Sequence, residues 1–281
     1  MLCWIPVLAW SDERPKLSYS GIQFQKIKAG SFMFGARSWF GETERERNGS
    51  LVEVPYDFAI GVTEITQNQW ANVYGSYLHE SMEEMGISFP HVGPNLPVSR
   101  VNYFDACKFC VMLTKKERKA GTISENQFFR LPTEIEWEYA ARAGKNSLFF
   151  CGELINSDFA NLGFGPEPKI KGRDLPSSTI DRPLESCVWE VTKMKENSWG
   201  IYGMSGNVSE WCFDFYKADI EKSKIAAKTQ FGIQDLGALK VVVKGGHFKS
   251  APWCGASFFR YGVSPGDREL TVGFRIVLVE S

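Results

Sequence analysis

A chain of 281 residues holds one large domain or two small ones. Its 43% hydrophobic and 23% charged residues are those of a globular protein with a sizeable core, and 14% aromatic residues leave rings to display. The net charge of −1, with no basic block in the sequence, argues against nucleic acid and anionic membrane as expected partners.

The first ten residues, MLCWIPVLAW, are apolar but lack a basic start and a full-length apolar stretch. They read as an ordinary first strand or as the stump of a processed secretion or lipoprotein signal. No run approaches the roughly 20 apolar residues of a spanning helix, so no transmembrane segment is expected. Strands are expected at residues 21–27, 31–35 and 58–61, rich in Phe and Ile and punctuated by Gly. A helix then starts behind Thr66, a suitable N-cap.

A second helix is expected from Tyr103 to about Arg118. Its apolar face is read as Phe104, Cys107, Val111 and Thr114, and Lys115, Lys116, Glu117 and Arg118 as a solvated end. Cys107 and Cys110 have CxxC spacing on this helix. No second CxxC exists and the three histidines are scattered, so both thiols read as small buried hydrophobes. Seven cysteines are an odd count and do not suggest a disulfide framework.

The third helix lies in RLPTEIEWEYAARAG, residues 130–144, where Thr133 and Glu136 form a capping box and Gly144 suits the stop. Glu134, Glu136 and Glu138 could suggest acid–base chemistry. Helix-dipole compensation and solvation account for them more simply. Beyond Phe149 the helical signals fade into loops rich in Gly, Pro, Asn and Ser, broken by short strands at 240–244 and 274–279. No long regular element is expected in 145–200. The result is a single α+β domain over 1–281, with few helices, short antiparallel strands and much ordered loop.

Five motifs follow in order: FAIGVTEITQNQW, PVSRVNYFDACKFC, RLPTEIEWEYAARAG, NSWGIYGMSGNVSEWCFDFY, and a last segment running from Lys-Gly-Gly to Gly-Phe-Arg. This series resembles the formylglycine-generating-enzyme/sulfatase-modifying family, over roughly residues 21–279. The resemblance implies a C-type-lectin-like fold. It does not by itself imply activity.

Oxidase members of that family use a copper-binding pair of cysteines in the last segment, as two soft thiolates suit Cu(I). Counted from Gly245-Gly246, Ser250 stands in the place of the first thiol here, and Cys254 lies near the second with altered spacing. His247 sits too near the Gly-Gly turn to be taken as a replacement ligand. Other members bind calcium around the Gly-Asn-Val-x-Glu-Trp motif, where Asn207, the Val208 carbonyl and Glu210 are hard oxygen donors. Against that stands a second reading, in which Asn207 makes a turn and Glu210 pairs with a core base such as Arg275.

Within the family the last segment, 243–277, resembles that of the variable proteins of diversity-generating retroelements, Treponema examples among them. The likeness implies a non-enzymatic binding protein whose lectin-like scaffold is kept while displayed residues are replaced. Gly245-Gly246 would make a tight turn, Pro265 would stiffen a loop, and Gly273-Phe274-Arg275 would return the chain to the core. Between them the expected ligand-binding residues are His247, Phe248, Lys249, Ser250, Trp253, Gly255, Ser257, Phe258, Phe259, Tyr261, Gly262, Val263, Gly266, Glu269 and Leu270. Trp253, Phe258, Phe259 and Tyr261 would anchor, with Lys249, Asp267 and Glu269 tuning charge. The expected partner is a protein or other macromolecule at the cell exterior. The expected place is the cell surface or periplasm, with a lipid anchor, the alternative being the cytoplasm. No cofactor is required in this reading. The competing expectations are a copper-dependent oxidase using Cys254, and an accessory scaffold with neither property.

Overall fold

The structure, a computed structural model, describes residues 17–35, 49–84, 86, 90–163, 187–216 and 239–281. The first ten residues lie outside these. A five-stranded antiparallel sheet has the order β1 (Leu17–Tyr19), β2 (Ile22–Ile27), β5 (Phe58–Gly61), β11 (Val277–Glu280), β6 (Gln127–Arg130). A four-stranded sheet follows, in the order β10 (Val272–Gly273), β7 (Ser209–Phe215), β8 (Val241–Lys244), β9 (Arg260–Val263), with only β10 and β7 parallel. A hairpin of β3 (Gly30–Phe34) and β4 (Ser50–Val54) stands beside them.

The central strands bury both faces, and successive side chains divide between two cores as the period of two requires. Ala59, Leu278, Trp211, Val241 and Val243 point into one cluster. Phe58, Ile60, Val277, Val279, Cys212 and Val242 point into the other. Helices α1 (Gln67–Tyr74) and α3 (Tyr103–Ala120) close the first core with Trp70, Phe109 and Leu113. Helix α4 (Glu134–Arg142) closes the second with Trp137, Tyr139 and Ala140. A short helix α2 (Leu78–Glu84) adds Leu78 and Met82 to the first core.

Thr66, Asn102 and Thr133 begin α1, α3 and α4, each in a capping box with Gln69, Asp105 and Glu136 respectively. Among the described residues of 145–200 no helix or strand forms, as expected.

Three expectations need correction. The buried side of α3 is Ala106, Phe109, Cys110, Leu113, Thr114 and Glu117, whereas Phe104 and Val111 are 59% and 52% exposed. The expected stripe thus lay mostly on the outer face, because this helix is apolar on two sides and periodicity alone cannot choose between them. Glu117 is buried, where it accepts hydrogen bonds from Ser20 and Thr122. Glu134, Glu136 and Glu138 are also buried rather than solvated. They pair with Arg260 (2.8 Å), Arg130 (2.6 Å), and jointly Lys244 (2.9 Å) and Arg142 (2.7 Å).

Candidate functional site

Beneath the last segment lies a floor of buried charge. Arg275 grips Glu210 with both ends of its guanidinium fork, Nε to Oε2 at 2.6 Å and Nη2 to Oε1 at 2.7 Å. Trp137 Nε1 donates to Glu210 Oε2 at 2.8 Å, and Arg275 donates further to the carbonyls of Gly61 and Tyr202. Glu64 is buried beside this pair, and its Oε1 accepts from Asn207 Nδ2 at 3.0 Å. Burial, opposed by Arg275 and reinforced by Glu210, pushes the Glu64 carboxyl well above the usual carboxylate range. Sequence reasoning missed Glu64, whose only signal was being the single charged residue of its motif.

Asn207 sits in the left-handed region at φ 64° and makes the turn into β7. Its Oδ1 accepts from Asn161 Nδ2 (3.0 Å) and Trp189 N (2.8 Å), while its own carbonyl accepts from Phe248 N (3.0 Å). Of the two readings of this motif, the turn and the Glu210–Arg275 pair are what the structure contains. The donor set as arranged does not fit calcium, because both Glu210 oxygens and the Asn207 oxygen are committed to protein hydrogen bonds. Val208 is fully buried between them.

Residues 245–259 are stitched to this floor by backbone hydrogen bonds. Gly206 N reaches Gly245 O (2.7 Å), Gly163 N reaches Ser250 O (2.8 Å), and Ser257 N reaches Leu148 O (2.9 Å). Ser205 Oγ holds the Gly255 carbonyl at 2.8 Å. At Gly246, with φ 67°, an added Cβ would lie 2.7 Å from the Cys254 carbonyl oxygen, so the expected tight turn is sterically enforced. A 3₁₀ turn, Pro252–Gly255, then carries the chain to β9.

On this platform the structure brings three of the expected anchors together. The Trp253 and Phe259 rings meet edge-on at 4.8 Å, and the Phe259 and Tyr261 rings lie 6.0 Å apart. All three are partly exposed. Tyr261 leans inward: it packs against the first core, and its hydroxyl donates to Ser209 Oγ at 3.0 Å. Phe258 packs with Leu148, Phe149 and Leu162 and shows only part of its ring. Lys249, Gly266, Asp267 and Glu269 are exposed; His247, Gly262 and Leu270 are half-buried.

Five expected contact residues are instead buried. Phe248 is closed under His91 and His247, with ring centroids at 5.6 and 6.4 Å, and under the Lys249 ammonium at 5.4 Å. Ser250 turns its Oγ inward to accept from His247 N at 3.0 Å. Gly255 lies against Leu162, and Ser257 and Val263 face the interior. These residues shape the platform rather than display on it. Gly262 is pressed by the Tyr216 ring, where a Cβ would come within 2.6 Å. Arg260 covers the same ring at 4.7 Å and was not among the expected residues.

The thiol expected to matter in an oxidase, Cys254, is partly buried, and burial pushes it up to about 11. The six described cysteines are all free thiols, and no group of three or more His, Cys, Asp or Glu residues suited to a metal occurs among the described residues. No helix among them is long and apolar enough to cross a membrane.

Among the described residues, a five-stranded and a four-stranded sheet, three capped helices and an ordered terminal loop on a buried Glu–Arg pair define an α+β domain of C-type-lectin-like fold. The chain belongs to the sulfatase-modifying factor enzyme 1-like domain family, whose model matches residues 14–279. It is 30% identical to the chaperone protein LppX of Paenibacillus barcinonensis over 189 residues, 57% of this chain and 63% of that protein. It is likewise 30% identical to the formylglycine-generating enzyme of Thermomonospora curvata over 158 residues, 53% of this chain and 43% of that one. The matches thus span less than two thirds of these relatives. Among solved structures, Treponema denticola variable protein 1 superposes with a TM-score of 0.62 at 24% identity, covering 93% of this chain and 97% of its own.

Proposed function

We propose that this chain is a non-enzymatic ligand-binding protein displayed at the cell exterior, with residues 243–277 of its single domain as a diversified binding segment. The observation that carries this reading is the series of partly exposed rings, Trp253, Phe259 and Tyr261, mounted on a backbone fixed from below. Rigid aromatics give large contact area at low entropy cost, which suits recognition of a protein or other macromolecule. The fold likeness to a variable protein supports the same reading.

The surroundings of Ser250 and Cys254 favour binding over copper oxidation. Cys254 is the one thiol of residues 243–277, where Cu(I) calls for two soft thiolates. Ser250 directs its hydroxyl into a backbone hydrogen bond. In this reading no cofactor is required.

A peptide-display library panned against the purified chain tests the proposal. Peptides selected by the wild type should lose at least about thirtyfold in affinity for Trp253→Ala, as expected of a central Trp anchor, with the unfolding midpoint nearly unchanged. Trp253 is the better probe than Tyr261, which also supports the core. Unchanged binding by Trp253→Ala would refute the assigned face. Tight stoichiometric Cu(I) with oxygen uptake on a cysteine peptide would replace it with an oxidase.

A further inference from the structure

The outer side of α3 carries an apolar stripe that the packing of the described residues leaves uncovered. Phe104, Lys108, Val111 and Lys115 follow at i, i+4, i+7 and i+11 and so share one face. Phe104 is 59% and Val111 52% exposed. At the N-terminal end Tyr103 links the stripe to β7, its hydroxyl donating to the Phe213 carbonyl at 3.3 Å and its ring lying 5.8 Å from that of Phe104. Phe213 is itself 50% exposed. Three large apolar side chains therefore stand in water on adjoining elements.

The charge around them is one-sided. Helix α3 carries five bases (Lys108, Lys115, Lys116, Arg118, Lys119) against two acids (Asp105, Glu117), or 5 − 2 = +3, on a chain whose total is −1. Both acids are already engaged, Asp105 with Arg268 and buried Glu117 with Ser20 and Thr122. Arg118 has a distant exposed partner, Glu125, at 3.9 Å. Lys108 lies 5.6 Å from the Tyr74 ring centroid, and Lys116 donates to the Asn72 carbonyl at 2.8 Å. Lys115 and Lys119 form no ion pair among the described residues.

We propose that this face of α3, with Phe213, docks on an anionic lipid bilayer. A second copy of the chain is the poorer occupant, since a two-fold contact would set this basic face against itself. A partner helix fits less well too, because lysines interrupt the stripe every turn where a helix seam needs successive apolar knobs. A bilayer interface accepts that alternation: rings and Val111 enter the headgroup boundary while lysine stems run along it and their ammonium groups stay with lipid phosphates. The near-neutral total conceals the basic run from Lys115 to Lys119, contrary to the expectation that the sequence holds no basic block.

Sedimentation with vesicles tests the proposal. The full chain should pellet with phosphatidylcholine vesicles containing phosphatidylglycerol, less so as salt rises, and remain in solution with pure phosphatidylcholine. Lys115→Glu with Lys119→Glu should weaken binding by about tenfold or more, as each lysine near an anionic surface contributes on that scale. Phe104→Ser with Val111→Ser should weaken it comparably, while the circular dichroism spectrum stays that of the wild type. A wild type that stays in solution with anionic vesicles, or variants that bind as well as it does, would overturn the proposal. So would a concentration-dependent dimer lost in Phe104→Ser. None of these residues belongs to the ring face, so such a failure would leave the ligand-binding reading standing.

Discussion

The floor and the loop above it divide the same short segments between opposite physical regimes. At the floor, Glu210, Arg275, Glu138 and Lys244 are fully buried and answer one another through short, mostly charge-assisted hydrogen bonds. In the loop, Trp253, Phe259 and Lys249 are partly or wholly in water, and their partners are neighbouring rings. The ends of the last segment, Lys244 and Arg275, belong to the first regime and its middle to the second. Such a division lets displayed side chains change without disturbing the residues that hold the turn.

The comparison breaks most sharply at Arg275. Replacing it with Met leaves Glu210 charged, buried and stripped of its bidentate partner, beside a second buried carboxyl at Glu64. Removing one member of a buried pair costs about 3–5 kcal/mol, most of it the uncompensated charge that remains. Urea unfolding of Arg275→Met should show a loss of that size. A loss below about 1 kcal/mol would mean that water reaches the floor.

An intermediate effect falls at the boundary, on His247. Burial first, then the nearby Lys249 ammonium, lowers it to about 4 from the ordinary 6.5. Between those values the unfolded chain binds a proton that the folded chain refuses. This group's contribution is therefore complete above pH 6.5 and is lost as pH falls toward 4. Stability measured across that window should decline less steeply in His247→Gln than in the wild type. An identical slope would show that His247 is not held neutral.

How much of this was legible in the sequence depends on whether local or distant contacts decide. Thr66 and Thr133 as caps, and the turn at Gly245-Gly246, follow from chemistry within a few residues, and the structure shows all three. The strands β7 and β9 were not legible. Their alternation is masked because β7 buries Ser209 through Cys212 on both faces, and β9 is only four residues long. At the candidate site, ring clustering was readable from composition. The inward turn of Phe248 and Val263 was not, since it depends on His91, Asn207 and the first core, all remote in sequence. The burial of Glu134 and Glu138 on α4 depends likewise on Arg260 and Lys244, more than 100 residues away.

The smallest effect should come from Lys249, at the outer edge of the loop. It is exposed, it forms no ion pair among the described residues, and its ammonium lies 5.4 Å from the Phe248 ring centroid. An exposed contact of this kind contributes about 0.5 kcal/mol, so Lys249→Ala should leave stability almost unchanged. Its electrical effect should nevertheless be visible. The Lys249 charge is the second cause, after burial, of the lowered titration of both His91 and His247. Removing it should move both histidines upward in a proton NMR titration, while burial still holds them below 6.5. If only one histidine moves, the two do not share the cation above Phe248. If neither moves, burial alone sets both, and the loop edge is as screened by water as any open surface.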